Sequence, residues 1–390
     1  MISVAEALDK VFALLATTGT EEVPLARAAG RVLAGAVTAR RDQPPFAASA
    51  MDGYAVDAAA ARPGARFRVA GEAAAGMRHP HPLRPGEAVR IFTGAPVPEG
   101  ATRVVIQEDV ARDGDQIVLG DRLDPAPYIR PAGIDFRAGQ SFDPRRPLGA
   151  ADLALLAAMN LPRVSVRRRP DIALIATGDE LVMPGEDPGP DQIVASNTFG
   201  LKAMIEAAGG KARLLPIARD TTRALSAVFD LARGTDLVVT VGGASVGDHD
   251  LVARVAAERG MDRAFYKVAM RPGKPLMAGR LDGTAMIGLP GNPVSSLVCG
   301  HVFLVPAVRA MLGLGAVPAP RATGRLAEPL EANGPREHYV RALAGPDGLR
   351  GLPRQDSSLL SVLAEAQALI VRPPHDPARQ AGESVEYLPL

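Results

Sequence analysis

The sequence predicts a multidomain protein of the α/β plus β class: a central doubly wound, parallel-type α/β domain, a β-rich inserted domain and a C-terminal β domain. Its 390 residues exceed the roughly 100–200 residues of one ordinary domain. Residues 168–312 alternate short apolar runs with helical patterns, which favours a parallel sheet with right-handed crossovers. Residues 40–146 hold short apolar runs divided by proline and glycine, a pattern typical of strands.

Helical segments flank the β-rich part. Ser3–Glu6 has the pattern of a capping box, and apolar residues then recur at helical spacing, so the chain opens on a helix. A second helix is predicted from Pro24 to before Gly35, and another over Ala150–Met159. We expect residues 1–39 plus 147–167 to form a helical linking domain. The apolar faces of its first and last helices would pack together as a core.

The β-rich domain and the C-terminal domain, residues 318–390, are predicted from shorter patterns. Asp52-Gly53 is typical of a hairpin turn. Proline and glycine around Gly313–Pro320 mark the boundary before the C-terminal domain. The predicted strands of these two domains are Phe67–Ala70, Ala88–Phe92, Val104–Gln107, Ile117–Leu119, Tyr339–Leu343, Leu369–Val371 and Val385–Leu388.

The α/β domain is predicted in more detail. Ser196 and Asp220 precede two helical patterns as candidate N-caps. The predicted strands are Asp171–Ala176, Leu214–Ile217, Asp236–Val241 and Thr284–Gly288, and the predicted helices are Asn197–Ala208, Thr221–Arg233 and Val252–Glu258.

Composition limits the classes of function. Hydrophobic residues make up 47% and charged residues 22%, and the net charge of +1 predicts no nucleic-acid partner. The single cysteine, Cys299, excludes an internal disulfide or a thiolate metal cluster and is predicted to lie in the core. Pro293–Val308 is uncharged but shorter than the ~20 residues that span a bilayer. We therefore expect a buried helix in a cytoplasmic protein without a membrane partner.

Three glycine-bearing loops follow predicted strands of the α/β domain: Thr177–Leu181, Gly242–Asp250 and Leu289–Ser295. Backbone N–H groups at a helix start bind anions, and ligands gather at the carboxyl ends of parallel strands. These loops also carry carboxylates, which repel a phosphate unless a cation lies between them. The pattern favours a site for a phosphorylated small molecule and a hard cation such as Mg²⁺.

Each motif has a second interpretation. Asp179 and Glu180 are either an acidic surface turn or a pair of which one faces a ligand. Asp248 either holds a cation with Asp250 or caps the following helix. The basic residues Lys267 and Arg271–Pro275 suit the capture of an oxyanion, or balance nearby acids. Leu289–Ser295 is a phosphate loop or a tight structural turn.

Taken together, the motifs resemble one family, the molybdopterin molybdenumtransferases, which includes the E domain of gephyrin. The resemblance covers nearly the whole chain, and the order and spacing of the motifs carry it. Those motifs are Ser49–Val56, Phe92–Pro96, Arg130–Asp135, Thr177–Leu181, Gly242–Asp250, Arg271–Pro275 and Leu289–Ser295.

The resemblance implies a reaction in which adenylylated molybdopterin and molybdate are the substrates, Mg²⁺ assists, molybdenum enters the dithiolene and AMP is released. It also implies an elongated four-domain homodimer with sites shared between subunits, and a molybdopterin adenylyltransferase and recipient molybdoenzymes as partners. Two alternatives are the adenylyltransferase itself, which shares the α/β domain but lacks the surrounding β domains, and a gephyrin-like scaffold. A fused scaffold would carry a long linker or a second module, which this sequence does not show.

The resemblance also implies roles for individual residues. The implied catalytic residues are Asp52, Thr93, Asp135, Glu180, Asp220, Asp250, Lys267, Arg271 and Lys274, and the implied metal ligands are Glu180, Asp248 and Asp250. The implied substrate-binding residues are Thr177, Gly178, Gly242, Gly243, Ser245, Gly247, Pro290, Gly291, Asn292, Pro293, Ser295, Arg341 and Ser357.

Two positions depart from the family pattern. Arg271 stands where lysine is common, and a planar guanidinium presents donors differently from an ammonium group. Gln355–Ser358 replaces a glycine-containing turn, which leaves the role of Ser357 open.

Overall fold

The computed structural model of the chain describes residues 1–243 and 251–390. Three six-stranded sheets lie within them: one in the β-rich region, one at the centre of the α/β domain and one in the C-terminal region. The α-helices are Val4–Leu14, Ala150–Ala158, Asn197–Ala207, Thr222–Leu231, Leu251–Glu258, Pro293–Cys299, Val305–Met311 and Leu360–Glu365, with short 3₁₀ turns at Leu25–Arg27 and Gln107–Asp109.

The central sheet has four neighbouring parallel strands followed by two strands that join it through antiparallel pairs, whereas the sequence predicted a parallel sheet. Its order is Lys211–Leu214, Asp171–Ala176, Leu237–Val241, Thr284–Leu289, Met277–Leu281 and Asp262–Tyr266. The cause is a hairpin between the fourth and fifth strands, where Asp282 and Gly283 have φ of 49° and 82°. The first strand ends at Leu214, where the predicted strand Leu214–Ile217 begins, because Pro216 has no N–H for a ladder.

Helices cover both faces of this sheet, which confirms the doubly wound arrangement. Alternate residues of one strand point to opposite faces: Leu174 belongs to one apolar cluster and Ile175 to another. Asn197–Ala207 and the long apolar helix pack on the first face. Thr222–Leu231 and Leu251–Glu258 pack on the second.

The apolar helix is longer than predicted. It runs over Pro293–Met311, with a wider π-type stretch at Gly300–Leu304. Its 19 residues are long and apolar enough to cross a membrane by length and composition, yet 72% of the apolar window is buried inside the protein. Cys299 is fully buried in this helix, as predicted, and burial raises the pKa of its thiol far above the ordinary value.

The predicted packing of the N-terminal helix is wrong. Val4–Leu14 buries Leu8 and Val11 against the α/β core, whereas Ala150–Ala158 belongs to a separate cluster around Leu156. The predicted second helix is also wrong. Pro24 is instead the last residue of the strand Thr20–Pro24, which pairs with Arg163–Arg167 far along the chain, and the helical turn that follows it before Gly35 is limited to Leu25–Arg27.

The β-rich sheet has the order Arg103–Ile106, Gly53–Val56, Glu87–Ile91, Arg66–Ala73, Gln116–Leu119 and Val110–Asp113. Asp52-Gly53 is not a hairpin turn, because Ala48–Ser49 pairs with Ile129–Arg130 and not with Gly53–Val56. Glycine is required at position 53 for another reason: a Cβ there would lie 2.0 Å from the carbonyl oxygen of Val105.

The C-terminal sheet draws one strand from the α/β domain. Its order is Met270–Arg271, Glu337–Gly345, Ala368–Arg372, Ser384–Pro389 and Ala322–Arg325, with Gly348–Gly351 paired to the second strand. The strand Met270–Arg271 fixes the start of the predicted basic loop against the C-terminal region. Two-residue pairs join Val37–Thr38 to Ser141–Phe142 and Leu181–Val182 to Ile193–Val194.

Candidate functional site

The three glycine-bearing loops meet at the carboxyl edge of the central sheet, as predicted, in the part that the structure describes. They enclose a cleft of about 620 Å³. The predicted site residues that line it are Thr177, Gly178, Glu180, Asp220, Gly242, Gly243, Pro290, Gly291, Asn292 and Pro293.

The floor of the cleft is a fixed backbone. The N–H of Thr177 donates to the Val241 carbonyl (3.0 Å), and the N–H of Gly178 donates to the Ala218 carbonyl (3.1 Å). Gly242 has a φ of 97°, and a Cβ at this position would lie 2.6 Å from the Thr177 carbonyl oxygen. Glycine therefore lets two strand ends approach each other and keeps the cleft open to a ligand.

The third loop turns into the long apolar helix, with Pro293 at its first position as predicted. Asn292 occupies the N-cap position, but its side chain makes no capping bond and donates instead to Oγ of Ser357 (3.0 Å). Asn197, at the start of another helix, donates from Nδ2 to the Gly291 carbonyl (2.7 Å). Two helix starts are thereby tied together at one wall of the cleft.

Another part of the cleft wall is acidic: Glu180 and Asp220 line it, and Asp179 precedes Glu180 in the chain. The N–H of Asp220 donates to Oδ1 of Asp179 (3.0 Å). Partial burial, and then the charges of Asp179 and Glu180, raise the pKa of Asp220. Among the described residues, neither the Glu180 nor the Asp220 carboxylate has a cationic side chain within ion-pair distance. This wall therefore carries negative charge that those residues do not neutralise.

Asp220 is not a helix cap, contrary to prediction. Thr221 is the N-cap of the following helix, and its Oγ1 accepts a bond from the N–H of Ala224 (3.1 Å). Because Thr221 caps the helix, the Asp220 carboxylate is not needed for capping, and Asp220 lines the cleft.

Four predicted residues lie outside the described part of the chain: Ser245, Gly247, Asp248 and Asp250. Within the described residues, no group of three His, Cys, Asp or Glu side chains is placed to hold a metal ion. Mg²⁺ in phosphate sites is commonly held by one or two carboxylates, with waters and substrate oxygens completing its shell. The unneutralised charge of Glu180 and Asp220 fits that requirement.

A second cavity of about 310 Å³ adjoins the first, and Pro275 lines both. Among the residues predicted from the sequence, Arg271, Lys274, Ser295 and Ser357 line it. Guanidinium, ammonium and hydroxyl groups in one cavity suit a small oxyanion. The structure thus sets a cationic cavity beside an anionic wall.

The C-terminal region supplies one side of this second cavity. The N–H of Val294 donates to the Ser357 carbonyl (3.0 Å), so Ser357 contacts the helix start through its backbone as well as its side chain. Arg341 is 1% exposed and lines neither cavity. It donates to Gln355 Oε1 (3.1 Å) and to the Asp356 carbonyl (2.7 Å), which holds the turn that carries Ser357.

Besides Arg341, four predicted residues line neither cavity: Asp52, Thr93, Asp135 and Lys267. The backbone N–H and Oγ1 of Thr93 each donate to Oδ1 of Asp52 at 2.7 Å. These two bonds, aided by the charge of Arg90, lower the pKa of the Asp52 carboxyl. Nζ of Lys267 lies 4.9 Å from the centroid of the Tyr266 ring.

Several lining residues were not predicted as site residues. Ser196–Thr198 was predicted only as a helix start, and Leu181, Ile193 and Val194 belong to a strand pair too short to show a periodic pattern. A polar helix start that follows a strand was the available signal for the first group. Arg336, Gln355 and Asp356 also line the second cavity, and only the long-range packing of the C-terminal region brings them there.

Three family profiles match the chain in order. They are the MoeA N-terminal region (domain I and II) over residues 2–160, a probable molybdopterin binding domain over residues 173–310, and the MoeA C-terminal region (domain IV) over residues 323–390.

Known proteins match over nearly the full length. A molybdopterin molybdenumtransferase of Nostoc sp. is 36% identical over 95% of this chain and 89% of its own length. A molybdopterin molybdenumtransferase of Haemophilus influenzae is 31% identical over 100% of this chain and 99% of its own length. A crystal structure of a molybdopterin biosynthesis MoeA protein from Pyrococcus horikoshii, 25% identical, covers 100% of both chains with a TM-score of 0.86.

Proposed function

This chain belongs to the molybdopterin molybdenumtransferase family, and from that membership we propose its reaction: insertion of molybdenum from molybdate into adenylylated molybdopterin, with release of AMP and dependence on a divalent cation. Its place in molybdenum cofactor biosynthesis follows from the family. We propose Mg²⁺ as the cation and the cytoplasm as the compartment.

One observation carries the proposal: a cleft whose wall bears carboxylates that no described cationic side chain pairs with adjoins a cavity lined by Arg271 and Lys274. The substrate link is a pyrophosphate-type anion, which requires backbone N–H groups and a cation at the acidic wall. Molybdate is an oxyanion, which requires the basic cavity. Because Pro275 lines both spaces, the two substrates would meet at their junction.

The chemistry requires no nucleophilic side chain. An oxygen of molybdate attacks the adenylyl phosphorus, the phosphorus–oxygen bond to the pterin phosphate breaks, and AMP leaves with the molybdate oxygen. The dithiolene sulfurs of the substrate become ligands of molybdenum. Bound Mg²⁺ would supply charge neutralisation at the phosphate link. Glu180 and Asp220 would hold the cation, Arg271 and Lys274 would orient molybdate, and the Gly242 backbone would let the phosphates approach.

The test follows AMP release by the purified protein. We expect release from adenylylated molybdopterin only when molybdate and Mg²⁺ are both present. Equal release without molybdate would remove the assignment, and ATP-dependent AMP transfer to molybdopterin would instead identify an adenylyltransferase. A matched control is Asp187→Asn, since Asp187 is exposed and lines neither cavity.

We also propose a homodimer with shared sites, fed by a molybdopterin adenylyltransferase. The support is that Asp52, Thr93 and Asp135 line neither cavity of their own chain, although their motifs belong to the family pattern. Mixing Asp52→Ala chains with Glu180→Ala chains should then restore up to about one intact site per mixed dimer. No recovery from mixed chains, or a monomer in light scattering at micromolar concentration, would contradict the proposal.

A further inference from the structure

The acidic wall of the cleft is braced by an arginine that takes no part in lining it. From Nη1, Arg219 donates to the carbonyl oxygens of Asp179 (2.7 Å) and Leu181 (3.1 Å). These two carbonyls belong to the residues on either side of Glu180. Arg219 lines neither cavity, so it acts on a bound ligand only through other groups.

Two further bonds complete the brace. The N–H of Ile193 donates to the carbonyl of Glu180 itself (2.7 Å). The N–H of Asp220 donates to Oδ1 of Asp179 (3.0 Å). All three carbonyls from position 179 to position 181 are therefore occupied, and the segment that carries Glu180 is tied directly to the segment that carries Asp220.

These bonds hold the segments that carry Asp179, Glu180 and Asp220 close together. Carboxylates of like charge repel one another, so this arrangement suits a bound cation. The acidic residues of these two segments would separate if the backbone were free to relax. Residues that do not touch a metal commonly use hydrogen bonds of this kind to orient the residues that bind it.

We propose that Arg219 is a positioning residue, which clamps the carbonyls around Glu180 so that the Glu180 and Asp220 carboxylates are held ready for one divalent cation. The inference rests on the proposed cation dependence of the reaction. It assigns to Arg219 no contact with either substrate.

Loss of the Arg219 charge and loss of its clamping bonds would change the affinity for a divalent cation in opposite directions. A cationic guanidinium near a cation site repels the cation, so removal of its charge alone would tighten cation binding. Loss of the clamp instead lets the Glu180 segment move away from Asp220, which weakens binding. The sign of the change in affinity for a divalent cation therefore separates the two effects.

The experiment titrates the full chain with Mn²⁺, without substrate, and counts free ion by electron paramagnetic resonance. For Arg219→Gln we expect an affinity roughly 10- to 100-fold weaker than wild type. The ammonium group of Arg219→Lys retains hydrogen-bond donors and charge, so the affinity of this variant for Mn²⁺ should lie between those of wild type and Arg219→Gln. Arg223→Gln is the matched control, because Arg223 is exposed, lines neither cavity and is close by in the chain.

A second measurement excludes a merely structural effect. At saturating Mg²⁺, Arg219→Gln should recover most of its kcat for AMP release, with an unchanged KM for adenylylated molybdopterin and a melting temperature near that of wild type. If Arg219→Gln does not fold, the Mn²⁺ titration and the measurement of kcat at saturating Mg²⁺ are made on Arg219→Lys instead. An affinity of Arg219→Lys for Mn²⁺ equal to that of wild type would then overturn the clamp.

The outcomes separate this inference from the proposed function. Wild-type protein that binds no Mn²⁺ at the acidic wall, as judged against Glu180→Gln, would overturn the proposed cation and the clamp together. Wild-type binding with an equal or tighter affinity for Arg219→Gln would overturn the clamp alone.

Discussion

The acidic wall of the cleft and the Asp52 turn of the β-rich region both present carboxylates to solvent, yet their surroundings push the pKa values in opposite directions. Asp220 has its pKa raised by partial burial and by Asp179 and Glu180. Asp52 has its pKa lowered, because Thr93 donates two hydrogen bonds to a single carboxylate oxygen.

The two sites differ in whether their carboxylates are satisfied by the protein or need a bound cation. Asp52 is satisfied by the protein itself and keeps its charge without a ligand. Glu180 and Asp220 are held together without neutralising side chains in the described part of the chain, so a cation from solution gains most by binding there. Whether a carboxylate site needs an ion is thus decided by its hydrogen-bond donors as well as by its charge.

The largest effect should follow loss of the Glu180 charge. Glu180→Gln keeps the size of the side chain but removes a cation ligand, and we expect the barrier to rise by several kcal/mol, at least about a hundredfold in the rate of AMP release. Turnover by Glu180→Gln within a few fold of wild type at saturating Mg²⁺ would break the comparison, because the cleft acids would then be no more dependent on an ion than Asp52.

Asp220→Asn should separate stability from activity. A carboxyl with a raised folded-state pKa loses stabilisation as the pH rises through that pKa, so the wild-type protein carries a penalty at neutral pH. The amide removes the penalty, and thermal melting without divalent ions should show a higher Tm for the variant alongside much slower AMP release.

Two further measurements of Tm, against pH and against Mg²⁺, test the same explanation. The difference in Tm should shrink as the pH falls through the pKa of Asp220, and Mg²⁺ should raise the Tm of the wild-type protein more than that of the variant. A lower Tm for Asp220→Asn under all these conditions would show that the acidic wall is not strained.

The smallest effect concerns Asp52. Thr93→Val removes the hydroxyl bond to the carboxylate while the backbone bond remains, so the pKa of Asp52 should rise toward its ordinary value. The acidic limb of the pH profile of kcat/KM should move to higher pH, whereas Thr93→Ser should keep the wild-type limb. An unmoved limb in Thr93→Val would mean that ionisation of Asp52 does not govern the rate.

Local patterns predicted the strands and glycine loops well, because strand-loop-helix order is written in consecutive residues. The hairpin prediction shows the limit. Asp52-Gly53 and Asp282-Gly283 carry the same dipeptide, yet only the second is a hairpin turn, since Gly53 is required by its close approach to Val105. A dipeptide does not encode which strand will lie beside it.

The candidate site divides in the same way. The position of the glycine loops could be predicted from the sequence, because each motif is contiguous, whereas the role of Glu180, which lines the cleft, was implied only by the family resemblance. Arg219 gave no signal, since its partners are carbonyl groups that every residue carries. Arg341 was predicted to bind substrate, but long-range packing places it behind the turn that carries Ser357. Roles that depend on distant backbone are outside the reach of sequence patterns.

The most direct test of the contrast is a Mn²⁺ titration of three proteins: wild type, Glu180→Gln and Asp52→Asn. The account predicts that Asp52→Asn binds Mn²⁺ with wild-type affinity, because Thr93 already satisfies Asp52, and that Glu180→Gln binds at least about tenfold more weakly. Weakened binding by Asp52→Asn together with unchanged binding by Glu180→Gln would contradict it and would move the cation from the cleft to the β-rich region.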